Sequence, residues 1–328
     1  MAVSKKQVGV IVAGVAIVAI VGGVIAGVVA NQPTGADAAA GDKTQNASAE
    51  KILPVVTHDE VPEAIAALKA SGFTPVEPGK LTVATSVYLP PLGYQPEGSK
   101  EPAGTEPNFG KLIADGLGLE YNPKVVAWAD WPLGIQSGKY DLITSNVTVT
   151  EERKELYDFA SYRNDLLGFY VKKDSKISSI TEPKDISGLK IIVGSGTNQE
   201  SVLLEWNKEL EAAGEKPAEL VYYDDNAAGV LAIQSGRADA TLGPNATAAW
   251  SAKETGDTKL VGTLSGGWPL TAQIAAGTKK GNGLIEPVNI VLNKLIEDGT
   301  YDKLLKEWGL ESEGIQKSEI NPPGLPKS

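Results

Sequence analysis

Residues 139–159 read KYDLITSNVTVTEERKELYDF. Leu142 and Ile143 make a short apolar strand, which gives way to Thr144, Ser145, Asn146 and Thr148 before a helix start carrying Thr150 and Arg153. A strand that ends in hydroxyls and an amide beside an Arg offers donors where ligands collect, at the carboxyl end of a sheet strand. The plainer reading makes Thr150 a helix cap and leaves Arg153 facing water. A second copy of the lead-in shifts the balance. GIQSGKYD at 134–141 and AIQSGRAD at 232–239 share a helix end, a Gly cap, a basic residue and an Asp entering a strand. Two similar α/β units facing each other are expected, each with its own rim of strand ends and loops.

Length and composition narrow the classes. The 328 residues, 42% hydrophobic, can fill more than one core, which suits two domains of about 100–150 residues. The absence of Cys excludes disulfides, thiolate chemistry, zinc-cysteine sites and a lipid-modified cysteine anchor. The one His, His58, stands in the polar approach to the first unit, so neither a metal nor a cofactor is expected. A formal charge of −11 argues against a nucleic-acid partner. One local Arg can still hold a small anion against that distant field.

Residues 7–30 carry no charge and come after Lys5 and Lys6. A run of that length spans a hydrocarbon core of about 30 Å with the lysines on the cytoplasmic side. It reads as a signal peptide, with Val28 and Ala30 offering a cleavage site, or as a retained membrane anchor; both place the rest of the chain outside the cell membrane. Residues 31–58 form a flexible tether poor in core-forming side chains.

The body then alternates strand and helix. A helix at 61–70 precedes strand LTVATS at 81–86, helix FGKLIADGLGL at 109–119, strand KVVAW at 124–128, a short helix ending at Gly138 and strand DLITS at 141–145. The apolar stretch 166–173 is expected to carry the chain to the second unit. There, strands at 189–195, 218–223 and 237–243 alternate with helices at 198–214 and 226–236. Strand LTAQIAA at 270–276 returns the chain to the first unit. Two helices come after it, with faces built on Ile285, Val288, Leu292 and Leu295 and on Tyr301, Leu304 and Trp308. The sequence divides into a first lobe of 59–168 and 270–313, a second lobe of 169–269 with hinge crossings near 166–173 and 266–274, and a Pro-rich, irregular tail at 314–328. Two mostly parallel sheets joined by a double crossing make a hinge and a cleft.

The loops at the strand ends, 86–94, 128–131, 144–153, 194–200 and 243–247, gather at that cleft. None supplies a nucleophile with a base and an orienting acid, so binding without chemistry is the stronger inference. The loop VGSGTN at 193–198 lacks a nucleotide fingerprint. Thr197 instead caps the next helix, with Glu200 in position for a capping box, and that helix start can hold an anionic oxygen.

From about residue 80 to 313 the chain resembles the extracytoplasmic solute-binding proteins that feed ABC importers, in the group that binds polar amino acids (bacterial solute-binding protein family 3). The resemblance rests on Pro90-Pro91, the run WADWPLGIQSGKYDLITSNVTVTEERKELYDF at 128–159, GTNQE at 196–200, IQSGRADA at 233–240 and NKLIEDGTYDKLLKEWG at 293–309. It implies the type II two-lobe α/β fold of periplasmic binding proteins. It also implies a small solute bearing a carboxylate, delivered to an ABC permease and its ATPase by a monomeric receptor that is not an enzyme. By the resemblance, Arg153 grips the solute carboxylate, as a rigid bidentate fork meeting a planar anion. Ser145, Asn146 and Thr148 add donors at the same end, Asn198 acts from the second lobe, beside Thr197 at the helix start, and Trp128 lines the side-chain pocket. Three positions depart from the pattern. The usual acid of the first loop is Ser86. Its stacking Tyr is Leu89, with Tyr88 one place earlier. The usual second-lobe Asp is Pro244, beside Asn245. An ammonium desolvated in a closed cleft needs acceptors, and Asp130, Asp224 and Asp225 are candidate replacements. The same fold also accommodates a catalytic relative such as a cyclohexadienyl dehydratase-like enzyme, or a ligand-sensing ectodomain.

Overall fold

A computed structural model describes residues 55–327 apart from Asp224 and Asp225. The apolar run at 7–30, tether residues 31–54 and the candidates Asp224 and Asp225 therefore lie outside the described residues. Among the described residues no helix is long and apolar enough to cross a membrane.

The chain builds two five-stranded mixed sheets. In the first, β1 (Lys80–Thr85) lies between β2 (Glu120–Val125) and β3 (Leu142–Ile143), parallel to both. β10 (Gln273–Lys279) then runs antiparallel to β3 and to the edge strand β4 (Tyr157–Asn164), giving the order β2-β1-β3-β10-β4. The second sheet comprises β5 (Leu166–Lys172), β6 (Lys190–Ile192), β7 (Glu219–Val221), β8 (Ala240–Pro244) and β9 (Thr258–Ser265) in the order β7-β6-β8-β5-β9. The two orders match place for place. In each sheet the fourth place belongs to the strand that has just crossed from the other sheet, and it runs antiparallel to its neighbours.

The repeated lead-in now has a physical reason. Gly138 and Gly236 take the left-handed conformation at φ 73° and 72°, which only glycine adopts without strain. Past each of them the next N–H folds back onto the helix, from Lys139 to Gly134 O and from Arg237 to Ala232 O, both at 2.9 Å. The Asp that enters the strand then accepts from the neighbouring strand: Asp141 from Thr82 N and Asp239 from Lys190 N, each at 2.8 Å. The motif therefore closes a helix and ties the third-place strand to the second-place strand in both sheets.

The first sheet packs under α1 (Pro62–Ala70), α2 (Thr105–Gly116), α7 (Ile285–Glu297) and α8 (Thr300–Trp308), with Leu81, Val83, Phe109, Leu112, Val288, Leu292, Leu295 and Leu304 in one core. The second packs on α4 (Asn198–Ala212), whose Leu203, Trp206 and Leu210 are buried with Phe169 stacked on Trp206 at 5.6 Å.

Several expectations are corrected. No helix opens at Arg153: residues Arg153–Glu155 make one 3-10 turn, and β4 begins at once. The deciding pattern is alternation in YDFASYRN, with Tyr157 and Phe159 in one core and Ala160 and Tyr162 in another. The second strand is Glu120–Val125 rather than 124–128, and Trp128 opens a 3-10 turn ahead of α3 (Trp131–Gln136). The returning strand is Gln273–Lys279, three residues beyond the expected 270–276. The residues expected to carry the chain across are strand β5 itself, and the first crossing is the single residue Asp165 between β4 and β5. The helix α6 (Asn245–Thr255) and the edge strand β9 were missed because their apolar patterns are weak. The Pro-rich tail is irregular, as expected, but it is bonded to the body. Ser161 N donates to Glu319 O at 3.1 Å, Asn321 N to Phe159 O at 2.9 Å and Leu325 N to Val149 O at 3.1 Å, so the tail lines the exposed edge of β4.

Candidate functional site

The strand β3 ends at Ile143, and the chain then makes a turn whose pivot is Asn146, at φ 53°. A non-glycine residue in this conformation needs local hydrogen bonds to hold it. Asn146 N donates to Glu106 Oε2 at 2.6 Å, and its side-chain oxygen accepts from Arg163 Nη2 at 2.6 Å. Arg163 also pairs with Glu106 at 2.8 Å and with Glu313, while Tyr162 donates its hydroxyl to Glu106. This buried cluster, which sequence reading missed, shapes the turn from below. Of the expected ligand contacts, Asn146 is thus largely committed to structure.

Past the turn, residues 147–149 run against the start of β10, with Val149 N donating to Gln273 O and Ala275 N to Val147 O, both at 2.9 Å. Thr150 Oγ1 accepts from Arg153 N at 3.0 Å, which is the cap expected of it. The turn delivers the Arg153 guanidinium to the gap between the sheets. Its Nη1 donates to Thr148 O at 2.8 Å, and its Nη2 reaches the other lobe at Gly196 O, 3.2 Å away. The Trp128 and Trp131 rings lie 5.5 and 5.8 Å from it, within cation–π reach. Burial draws the Arg153 pKa down to about 10, against the pull of the Asp165 carboxylate, so the group stays charged at neutral pH.

From the second lobe, Thr197 Oγ1 caps α4 by accepting from Glu200 N at 3.2 Å. Glu200 does not close a capping box on Thr197; its carboxylate accepts instead from Gly196 N at 2.6 Å. Asn198 is buried, and its Nδ2 donates to Asp165 Oδ2 at 2.9 Å and to Gly266 O at 3.0 Å. Thr148 Oγ1, from the first lobe, donates to the same Asp165 Oδ2 at 2.6 Å. Asp165 is therefore the point where the two halves of the expected site meet, and the sequence reading did not include it. Burial raises its carboxyl above the usual aspartate range, with Thr148, Arg163, Asn198 and Arg153 opposing the shift.

The remaining expected residues divide. Ser86 and Ser145 come together, Ser86 N donating to Ser145 Oγ at 2.9 Å. Trp128 and Leu89 are half-buried and Tyr88 is exposed. Asn245 is taken up inside the second lobe, where its Oδ1 accepts from Tyr170 OH at 3.0 Å. Asp130 is exposed and contributes to the field at Lys139, so it is not drawn into the Arg153 cluster. His58, the single His, bonds Asp298 at 2.7 Å. Among the described residues no group of His, Cys, Asp and Glu could hold a metal ion.

Two lobes with matching sheets, a double crossing and a half-buried Arg between them define a receptor that takes up a small solute. The chain belongs to the bacterial extracellular solute-binding proteins, family 3, whose family model matches residues 81–311. The L-cystine-binding protein TcyJ of Escherichia coli (strain K12) is 30% identical over 234 residues, covering 71% of this chain and 83% of that protein. The arginine-binding protein ArgT of Corynebacterium glutamicum is 25% identical over 278 residues, covering 84% of this chain and 87% of the relative. Among solved structures, an ancestral arginine-binding protein bound to arginine aligns at a TM-score of 0.60 with 30% identity, covering 70% of this chain and 98% of that one. The fold is the type II periplasmic-binding-protein fold, and the chain is an exported, extracytoplasmic receptor for a small amino-acid-like solute. It works with an ABC permease.

Proposed function

We propose that the receptor captures an α-amino acid by closing its lobes on it, with the ligand carboxylate on Arg153. The observation that carries this reading is the seat of Arg153: a half-buried guanidinium beside two Trp rings, whose Nη2 spans to the second lobe at Gly196. Its present partners, Thr148 O and Gly196 O, are neutral carbonyls, and a carboxylate is the stronger acceptor for both guanidinium donors. L-cystine and arginine, the solutes in the relatives' names, share an α-carboxylate and an α-amino group and differ in side chain. Ser145, Ser86 and the α4 start at Thr197 supply further polar contacts, and Trp128, Leu89 and Tyr88 form the apolar wall. A monomeric receptor is supported by the cleft lying wholly within one chain. The uncharged run at 7–30 supports either cleavage after export or retention as an anchor, with 31–54 giving reach; the expected tether does not extend to 58, because Val56 is buried in the first core and His58 bonds Asp298.

The test is titration calorimetry with L-arginine, L-cystine, L-glutamine and L-leucine on the wild type and on Arg153→Ala. Removing one partner of a buried, charged hydrogen-bond pair should cost about 2–5 kcal/mol of binding. A loss below tenfold in affinity, with the fold intact, rules Arg153 out as the carboxylate clamp.

A further inference from the structure

Ser86 and Pro244 stand at the two positions expected to carry carboxylates opposite a ligand ammonium, and Asp130 is exposed. A buried carboxylate sits instead at the first crossing. Asp165 is 4% exposed and is the sole residue between β4 and β5. Its backbone is clamped to the second crossing on both sides: its N donates to Ala272 O at 3.0 Å, and its O accepts from Gly266 N at 3.2 Å. The space beside it admits no side chain from Gly266, where a Cβ would come within 1.6 Å of Asp165 Oδ2 and 2.6 Å of Asn198 Nδ2.

The hydrogen bonds of this carboxylate decide what its neighbours can offer a ligand. An ionised carboxylate only accepts, so Thr148 must spend its one hydroxyl proton on Asp165 Oδ2. Both partners of the Asn198 amide, Asp165 Oδ2 and Gly266 O, are acceptors, which fixes the orientation of the amide and uses both of its N–H donors. Thr148 Oγ1 and Asn198 Oδ1 are then left as acceptors. Among the described residues Asp165 Oδ1 has no hydrogen-bond partner. Thr148, which the family resemblance reads as a donor at the carboxylate end, and Asn198, which it reads as a second-lobe contact, have been turned by one aspartate into part of an acceptor cluster.

We propose that Asp165, with Thr148 Oγ1 and Asn198 Oδ1, is the acceptor site for the ligand ammonium group, replacing the two carboxylates absent at Ser86 and Pro244. This rests on the α-amino-acid reading of the cleft. Charge supports it: Arg163 already faces two carboxylates, Glu106 and Glu313, leaving that cluster at −1. Arg153 and Asp165 balance each other beside it. A ligand that brings only a carboxylate deepens the negative excess, whereas a zwitterion leaves it unchanged. The receptor therefore selects α-amino acids over the same molecules without the amino group, and it does so from the hinge rather than from the lobe faces.

The experiment compares matched ligands by calorimetry: L-leucine, its α-hydroxy counterpart and 4-methylpentanoate, and likewise L-arginine, its α-hydroxy counterpart and 5-guanidinopentanoate. The wild type should bind the better amino acid at least about tenfold more tightly than either analogue, and Asp165→Asn should erase most of that ratio by weakening the amino acid alone. Wild-type protein that binds the α-hydroxy acid as tightly as the amino acid overturns the proposal without any variant, which covers the case in which Asp165→Asn fails to fold. An unchanged ratio in a folded Asp165→Asn also overturns it. If amino acids and analogues lose affinity equally in Arg153→Ala, the carboxylate clamp stands whatever Asp165 does. If none of these amino acids binds the wild type, the underlying reading falls, and the proposal with it.

Discussion

Replacing Arg163 with Met should destabilise the protein severely while leaving no large cavity. The side chains of Arg163, Glu106 and Glu313 are 1%, 1% and 4% exposed. They come from β4, the first turn of α2 and the 3-10 turn Glu311–Glu313. Removing the guanidinium strands two buried carboxylates together, and breaking a buried ion pair from one side costs about 3–5 kcal/mol. At this size each kcal/mol moves the melting temperature by about 2–4 °C, so a fall of roughly 10 °C is expected. Asn146 also loses the donor to its side-chain oxygen, so the turn carrying Thr148 and Arg153 should loosen and ligand affinity should fall with stability. The assay is urea denaturation alongside thermal melting. A companion carrying Arg163→Met with Glu106→Gln and Glu313→Gln should recover part of the loss, because no unpaired charge is left inside. A cost below about 1 kcal/mol for Arg163→Met alone refutes the reasoning. A triple variant no more stable than the single one refutes the attribution to stranded charge.

Two further outcomes concern the crossing and the tail. The folded Asp165 carboxyl lies above its ordinary value of 3.8, so the folded state holds that proton more tightly than the unfolded chain. Its contribution is fully present below the unfolded value and fades as pH rises through the folded one, so the stability of the wild type relative to Asp165→Asn should fall as pH rises above the ordinary value. Urea denaturation at several pH values checks this, and a flat or rising difference refutes it. Deleting residues 319–328 removes the carbonyls that accept from Ser161 N and Glu151 N. Hydrogen exchange should then show faster exchange at both amides and weaker ligand binding through the freed Arg153 turn, whereas unchanged protection would show that the tail does not brace the site.

Local chemistry made much of this protein legible from its residues. GIQSGKYD and AIQSGRAD announced two related units because a glycine cap and a strand-entering Asp do the same job in each sheet. The apolar faces of α4, α7 and α8 are periodic, and Thr150 capped the turn as its type suggests. Arg153 could be singled out because a basic residue after a polar strand end has a recognisable setting. Misreadings arose where pairing with distant chain overrides the local pattern. YDFASYRN is a strand because β10 pairs with it from more than a hundred residues away, and the tail is held by an edge that no local signal describes.

Asp165 shows the same limit at the site. In the sequence it is an acid in YRNDLL beside an apolar run, with nothing to separate it from the other 40 acidic residues among the 41. Its role depends on Thr148, 17 residues before it, Asn198, 33 residues after it, and Gly266 beyond, all brought to one carboxylate oxygen or its rim. Side-chain type and spacing along one element determined which residues could bind an anion. Which of them still has a proton to give was decided only when the double crossing closed, because a hydrogen-bond donor is used up by whichever acceptor the tertiary structure places beside it.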